Sequence, residues 1–245
     1  MRLISGCLFG LLMVLAYTSR SDSQLDQAFE QADTFTATKM KGIHFSELNQ
    51  SDSAIHYFRA ALTTTQNPDS LAHIYLLLSE EYRLNQNIPE AMRLFDGLKR
   101  LAASNTLSDK TISYETLHLE AKLKISQADY LGALRLFDST LRVIERIEGR
   151  DVPASIKVIN YKGIAFYYIG DQDQAFYFYR EALEKCLQLN MRNIDLADIY
   201  QNMAISFSFK GEFDSALVYL GKSRIIREEI FSDSHPRMAG FYVNY

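Results

Sequence analysis

The sequence predicts an all-α protein, an α–α superhelix in which antiparallel helix pairs stack into a solenoid. Five alanines recur at intervals of 37, 42, 42 and 41 residues, each followed four residues later by a large apolar residue. The alanines are Ala54, Ala91, Ala133, Ala175 and Ala216, and the apolar residues are Phe58, Phe95, Phe137, Tyr179 and Leu220. Twelve residues before each alanine stands a second small residue, namely Gly42, Ser79, Ala121, Gly163 and Ala204. A repeat of this period is typical of a solenoid whose units bury their faces against their neighbours.

Each unit is predicted to be a helix, a short turn and an antiparallel helix. We place the units at about 35–70, 72–108, 114–150, 156–195 and 197–233, with an incomplete unit from 239. The small residue of the first helix and the alanine of the second mark the crossing, because small side chains let two backbones approach closely. Residues with side-chain acceptors lie just before or at the start of the second helices and are predicted to cap free amides, namely Ser51, Asp52, Ser53, Asn87, Asp129, Asp171 and Asp214. Pro89 falls in a first helical turn, where a missing N–H costs nothing.

The fourth and fifth units match a known repeat template. The pattern W-x2-L-G-x2-Y…A-x3-F is met best by residues 160–182, with Gly163 and Ala175 at its small positions, and nearly as well by residues 200–216. From about Thr34 onward the chain therefore resembles the tetratricopeptide repeat family. The later units of about 42 residues are similar to kinesin-light-chain-type repeats and to repeats associated with CHAT-type proteases. The longer period predicts second helices prolonged by about two turns.

The resemblance implies a binding surface. In this family the first helices line a concave groove that holds an extended peptide or a partner's helix. The groove positions carried over to this chain are His118, Lys122, Asn160, Ile164, Tyr167, Tyr168, Gln201, Asn202, Ile205, Phe209 and, in the incomplete unit, Asn244. The first unit adds Lys39, Ile43 and Ser46, and the second unit adds His73, Leu76, Glu80 and Arg83.

Two kinds of side chain in this groove suit peptide binding. An amide offers both a donor and an acceptor, so a row of asparagines could grip a peptide backbone. Tyr167, Tyr168 and Phe209 would add apolar pockets. The alternative is that Asn160 and Asn202 only bond neighbouring helices to each other.

Composition and spacing argue against catalysis, cofactors and nucleic acid. The net charge of −4 provides no basic surface for nucleic acid. The five histidines show no zinc-binding spacing, and no nucleophile elbow, phosphate loop or dinucleotide fingerprint occurs. We therefore predict no enzyme, no metal and no cofactor. Cys186 is interpreted as an apolar filler of its helix.

The N-terminus predicts export. Arg2 precedes a mostly apolar run of fifteen residues, Leu3–Tyr17, which is short for a membrane span and suits a signal peptide over residues 1–21. Export would place the protein in the periplasm, the cell envelope or the medium. Membrane attachment is expected only if the signal is retained or the chain continues.

Two functions fit these features. The first is a non-catalytic scaffold that binds a protein or peptide in its groove. The second is the N-terminal sensory or recruiting region of a larger effector, such as a CHAT-type protease, a membrane-anchored histidine kinase or a helix-turn-helix regulator. The segment from His235 resembles the opening of a sixth repeat and stops before the expected small residue, which predicts that the chain is a fragment.

Overall fold

A computed structural model describes residues 32–104, 106–149 and 151–231, together with His235, Met238 and Phe241. Across these residues it has ten α-helices and no strand. The helices are α1 (Thr34–Glu47), α2 (Ser51–Thr64), α3 (Pro68–Leu84), α4 (Ile88–Ala103), α5 (Thr111–Ser126), α6 (Tyr130–Ile147), α7 (Pro153–Ile169), α8 (Gln172–Gln188), α9 (Ile194–Phe209) and α10 (Phe213–Ile230). The predicted all-α class is confirmed. The predicted signal peptide and Asn244 lie outside the described residues, as does most of the segment after 239.

The chain forms two compact units. One contains α1, α2 and the described residues from Glu228 onward, and the other contains Thr65–Arg227. In the first unit Asp33 caps α1, because its Oδ1 accepts a hydrogen bond from the Thr36 backbone N–H at 2.9 Å. Phe58 of α2 is fully buried against Gly42 of α1. The rings of Phe45 and Tyr57 stack with centroids 5.3 Å apart on the same pair of helices.

The repeating small residues lie where the helices of a pair cross. All five alanines of the second helices are buried, and so are the five small residues of the first helices. At Gly163 an added Cβ would overlap the ring of Tyr179, which is itself buried. The helices of this pair are thus closer than any larger side chain would allow. The predicted reason for the small-residue pattern is confirmed.

The turns inside the pairs repeat with the same period. Residues in the left-handed conformation follow the first helices at Asn49, Gln86, Ala128, Gly170 and Gly211, spaced 37, 42, 42 and 41 residues apart. After each of them, the next backbone N–H donates to the carbonyl five residues earlier, as for Asp129 and Lys124 at 2.9 Å. This closes the helix end in a Schellman arrangement.

The residue that closes one helix also opens the next. The side chains of Asn87, Asp129 and Asp171 accept from the backbone N–H groups of Glu90, Gly132 and Gln174. The predicted N-caps are therefore confirmed at Asn87, Asp129 and Asp171, whereas Ser51–Ser53 and Asp214 lie inside the first turns of α2 and α10. A single residue satisfies orphan groups of both helices, which fixes the turn at minimal length.

In the unit Thr65–Arg227, successive pairs pack through a shared core. Each first helix contacts the next first helix, α3 with α5, α5 with α7 and α7 with α9. The surface that α3, α5, α7 and α9 present away from their second helices is called the first-helix face below. In the described part of the chain, no helix is long and apolar enough for a membrane crossing.

Candidate functional site

The predicted groove residues within Thr65–Arg227 fall into three groups on or beside the first-helix face. One is a charged group from α3 and α5, one is a set of amides on α7 and α9, and one is an aromatic group near the ends of α7 and α9. Ile164 is half-buried on α7 between the amides and the aromatic residues.

The charged group is centred on the carboxylate of Glu80. Arg83 donates to it from Nε and Nη2, each at 2.9 Å, and Lys122 Nζ lies 2.8 Å from Oε1. Burial by itself would raise the pKa of Glu80, but Lys122 and Arg83 together hold it well below its ordinary value. Glu80, Arg83 and Lys122, which we call the ionic cluster, therefore carry one negative and two positive charges.

His118 lies beside this cluster and is neutral. Its ring meets those of Phe137 and Tyr161 edge-on, with centroids 5.8 and 5.2 Å away. Burial, followed by the charge of Lys122, lowers its pKa well below 6.5. Its Nε2 is buried and has no hydrogen-bond partner among the described residues. The structure thus places His118 in the packing between α5, α6 and α7.

The amides predicted to bind a partner bond to the protein itself. Asn202 Nδ2 donates to Asn160 Oδ1 at 2.9 Å, which links α7 to α9 as the alternative interpretation of these residues required. Asn160 is 8% exposed. Gln201 Oε1 accepts from Arg227 Nη2 at 2.9 Å, and the same Nη2 lies 2.5 Å from Asp198 Oδ1. Each of these three amides thus makes a hydrogen bond inside the protein with one of its two polar groups.

The aromatic group is partly exposed, with Tyr130 and Tyr167 half-buried. Tyr167 meets Phe209 and Tyr168 edge-on, with ring centroids 5.5 and 5.4 Å apart, and Tyr168 stacks on Tyr130 at 5.5 Å. Tyr168 is 54% exposed and Phe209 60% exposed. Ile205, one turn before Phe209 on α9, is 37% exposed. Tyr130, Tyr167, Tyr168 and Phe209 are called the aromatic cluster below.

The sequence interpretation missed two residues of these groups. Tyr161 lies under Lys122, whose Nζ is 5.6 Å from its ring centroid, and burial raises its pKa to about 12. Tyr130 begins a second helix and reaches the aromatic cluster from the preceding pair. A usable signal existed for the ionic cluster, since Glu80 and Lys122 are opposite charges one period apart.

The described residues contain no cluster of metal ligands, and their cysteine is buried. No three His, Cys, Asp or Glu side chains there converge as metal ligands. Cys186 is buried in α8, and burial followed by the charge of Asp195 raises the pKa of its thiol to about 12. A thiol with that pKa is a poor nucleophile at neutral pH.

Comparison with protein families identifies the repeats. One family model of the tetratricopeptide repeat matches residues 113–188, and another matches residues 196–237. These residues form tetratricopeptide repeats, and the predicted resemblance is confirmed. The comparison with curated proteins gives no match.

Solved structures show the same fold at low sequence identity. A Rap protein complexed with competence and sporulation factor is similar with a TM-score of 0.74 and 13% identity, over 89% of this chain and 61% of that chain. A signal transduction ATPase with a tetratricopeptide repeat sensor from Pyrococcus horikoshii is similar with a TM-score of 0.61 and 18% identity, over 79% and 29%. Kinesin-light-chain-like repeats from Podosopora anserina give a TM-score of 0.55 and 14% identity, over 79% and 94%. The chain thus spans less than two thirds of the Rap protein and of the ATPase.

Proposed function

We propose that this chain is a non-catalytic scaffold that binds a protein or peptide across the first-helix face, used as a concave groove. The observation that carries the proposal is the aromatic cluster, in which Tyr168 and Phe209 stay more than half exposed although they contact the other rings. Clustered exposed aromatic residues are unusual on a surface without a partner and supply large contact areas in interfaces. The similarity to a Rap protein solved in complex with competence and sporulation factor also supports binding of a protein or peptide.

Peptide binding can be measured directly because the chain contains no tryptophan. Random peptides displayed on phage are selected on the immobilised full chain, and an enriched peptide is synthesised with one tryptophan as the fluorescent group. Its emission then reports binding without background from the protein. We expect Tyr168→Ala and Phe209→Ala each to raise Kd about tenfold or more, as for aromatic residues in interface hot spots.

The matched control is Phe213→Ala. Phe213 is 65% exposed at the start of α10 and makes no ring contact with the aromatic cluster. Its removal should leave Kd within about twofold, well below the tenfold change expected of a hot spot. Equal effects of all three substitutions, or no effect of Tyr168→Ala and Phe209→Ala, would refute the proposed surface.

A second candidate is that the chain acts as the sensory or recruiting part of a larger effector. The similarity to an ATPase with a tetratricopeptide repeat sensor favours it, since this chain spans 29% of that protein. We also propose export through the N-terminal segment. The intact mass of the native protein from soluble, envelope and secreted fractions tests both. A secreted species slightly below 28.1 kDa supports export of a separate scaffold, and a much heavier species supports the effector.

A further inference from the structure

The exposed rings of the aromatic cluster lie at the C-terminal ends of two first helices. Tyr167 and Tyr168 belong to the last turn of α7, and Phe209 is the last residue of α9. A helix carries a partial negative charge at its C-terminus, which favours a cation near the last turn. Because Tyr167 contacts Phe209, the two negative ends lie next to each other.

The preceding first helices of the same unit provide such a cation themselves. The last turns of α3 and α5 contain Arg83 and Lys124, whereas the last turns of α7 and α9 contain no basic residue. Lys210 directly follows α9, but its Nζ lies 4.3 Å from the ring centroid of Phe176 and 3.8 Å from Asp173 Oδ1, both on α8. The last turns under the aromatic cluster therefore carry rings in place of a basic side chain.

Carboxylates are in excess in the adjoining turns. The segments 124–130, 167–173 and 209–214 together hold five acidic residues and two lysines. The lysines pair with two of the acids, Lys124 with Asp129 at 3.0 Å and Lys210 with Asp173. The three other acids are exposed and share no ion pair with a described residue, namely Asp171, Glu212 and Asp214. This end of the first-helix face is thus electronegative.

A hydrogen-bond acceptor without a donor lies in the same region. Gln172 has in its repeat the position that Tyr130 has in the preceding one, and Phe209 has the position of Tyr168. Since Tyr130 stacks on Tyr168, the register places Gln172 beside Phe209. Gln172 Oε1 is buried and accepts no hydrogen bond from a described residue, so an N–H donor brought to this point would satisfy it.

We propose that the aromatic cluster binds a basic side chain, arginine or lysine, of the peptide held on the first-helix face. The proposal rests on the proposed function and names the chemistry of the peptide residue. The exposed faces of Tyr168 and Phe209 attract a cation through their π electrons. The two helix ends and the carboxylates of the turns add an attraction that a neutral side chain of the same shape does not experience.

Peptides from the phage selection test the proposal on the full chain. We expect the enriched peptides to share an arginine or lysine at one position. A peptide with one tryptophan and with arginine at that position is compared with the same peptide containing citrulline, which has nearly the same shape and no charge. The arginine peptide should bind about threefold to tenfold more tightly, and this preference should decrease as the salt concentration rises.

Two pairs of substitutions separate local charge from net charge. Asp171→Asn with Glu212→Gln removes two charges near the rings, and asparagine at 171 can still cap α8. The preference for arginine should fall by about twofold or more, while Kd of the citrulline peptide changes less than about twofold. The control is Asp96→Asn with Glu184→Gln, whose carboxylates lie at least half exposed in the interiors of α4 and α8. It should leave the preference unchanged.

Phe209→Leu tests the part played by the ring. Leucine keeps apolar area without a π face, so the preference for arginine should fall by about twofold or more. If Phe209→Leu weakens both peptides by the same factor, the ring provides apolar contact alone and the cation site is refuted.

The outcomes separate the two proposals. Equal binding of the arginine and citrulline peptides to the unaltered chain would overturn the cation site and leave the peptide-binding function intact. The same holds if the enriched peptides share no basic residue, or if the control pair lowers the preference as much as the pair near the rings. Failure of the phage selection to yield any peptide sensitive to Tyr168→Ala would contradict the proposed function itself.

Discussion

Replacing Gly163 by alanine tests whether the helices of a pair cross where the structure places them. Gly163 lies in the middle of α7, and a Cβ added there would stand 3.1 Å from Tyr179 Cζ and closer still to two other ring carbons. Carbon atoms in ordinary contact are about 3.5–4.0 Å apart. Tyr179 is 2% exposed, so its ring has no solvent to move into. The substitution must therefore displace either the ring or one helix.

The size of the effect follows from two opposing contributions. Alanine is favoured over glycine inside a helix by about 1 kcal/mol, while overpacking a filled core costs about 1–3 kcal/mol. Gly221 of α10 provides the reference, because an added Cβ there meets nothing within 4 Å. Gly221→Ala should stabilise the protein by up to about 1 kcal/mol. Gly163→Ala should be about 1–3 kcal/mol less stable than Gly221→Ala, since the propensity gain is common to both.

Urea denaturation followed by far-UV circular dichroism measures the difference. A double-mutant cycle with Tyr179→Leu assigns it to the contact, because removing the ring should eliminate most of the cost of Gly163→Ala. If Gly163→Ala raises stability as much as Gly221→Ala does, the register of α7 against α8 is wrong.

Three further outcomes follow from the packing and the turns. Ala128 is exposed and has a φ of 60°, so Ala128→Gly relieves left-handed strain, which offsets the greater conformational entropy that glycine loses on folding. In urea denaturation the free energy of unfolding should stay unchanged or rise by up to about 1 kcal/mol. A lower free energy of unfolding would contradict the conformation of that turn. Because burial lowers the pKa of His118, the unfolded chain binds its proton more readily, so stability should fall as pH drops below 6.5. In His118→Phe this decline should be smaller by up to about 1.4 kcal/mol per pH unit in melts at successive pH values, and an unchanged decline would show that His118 titrates normally. Phe137→Ala should cost about 3–5 kcal/mol, whereas Phe213→Ala, at an exposed site, should cost little; equal thermal shifts would argue against the burial of Phe137.

The fold could be predicted because its determinants are local and repeated. Gly163 and Tyr179 stand 16 residues apart, and the same pairing recurs in the first unit between Gly42 and Phe58. The caps at Asp129 and Asp171 involve residues three positions away in the chain. Each such feature is set by a short segment, so the sequence specifies it without knowledge of the neighbouring units.

The functional surface was harder to predict because its contacts cross between units. Whether Asn202 meets a ligand or Asn160 depends on the distance between α7 and α9, which no local pattern specifies. Gln201 was assigned to the groove, yet its amide oxygen accepts from Arg227 on α10. A residue's position on a helix therefore did not indicate its hydrogen-bond partner.

These internal contacts also narrow what the surface can recognise. A polar side chain that is already bonded inside the protein offers a ligand little net free energy, because binding would exchange one hydrogen bond for another. The bond between Asn160 and Asn202 therefore links α7 to α9, and the bond of Gln201 links α9 to α10. On the proposed binding surface, selectivity would then rest on side chains that keep exposed area, above all Tyr168 and Phe209.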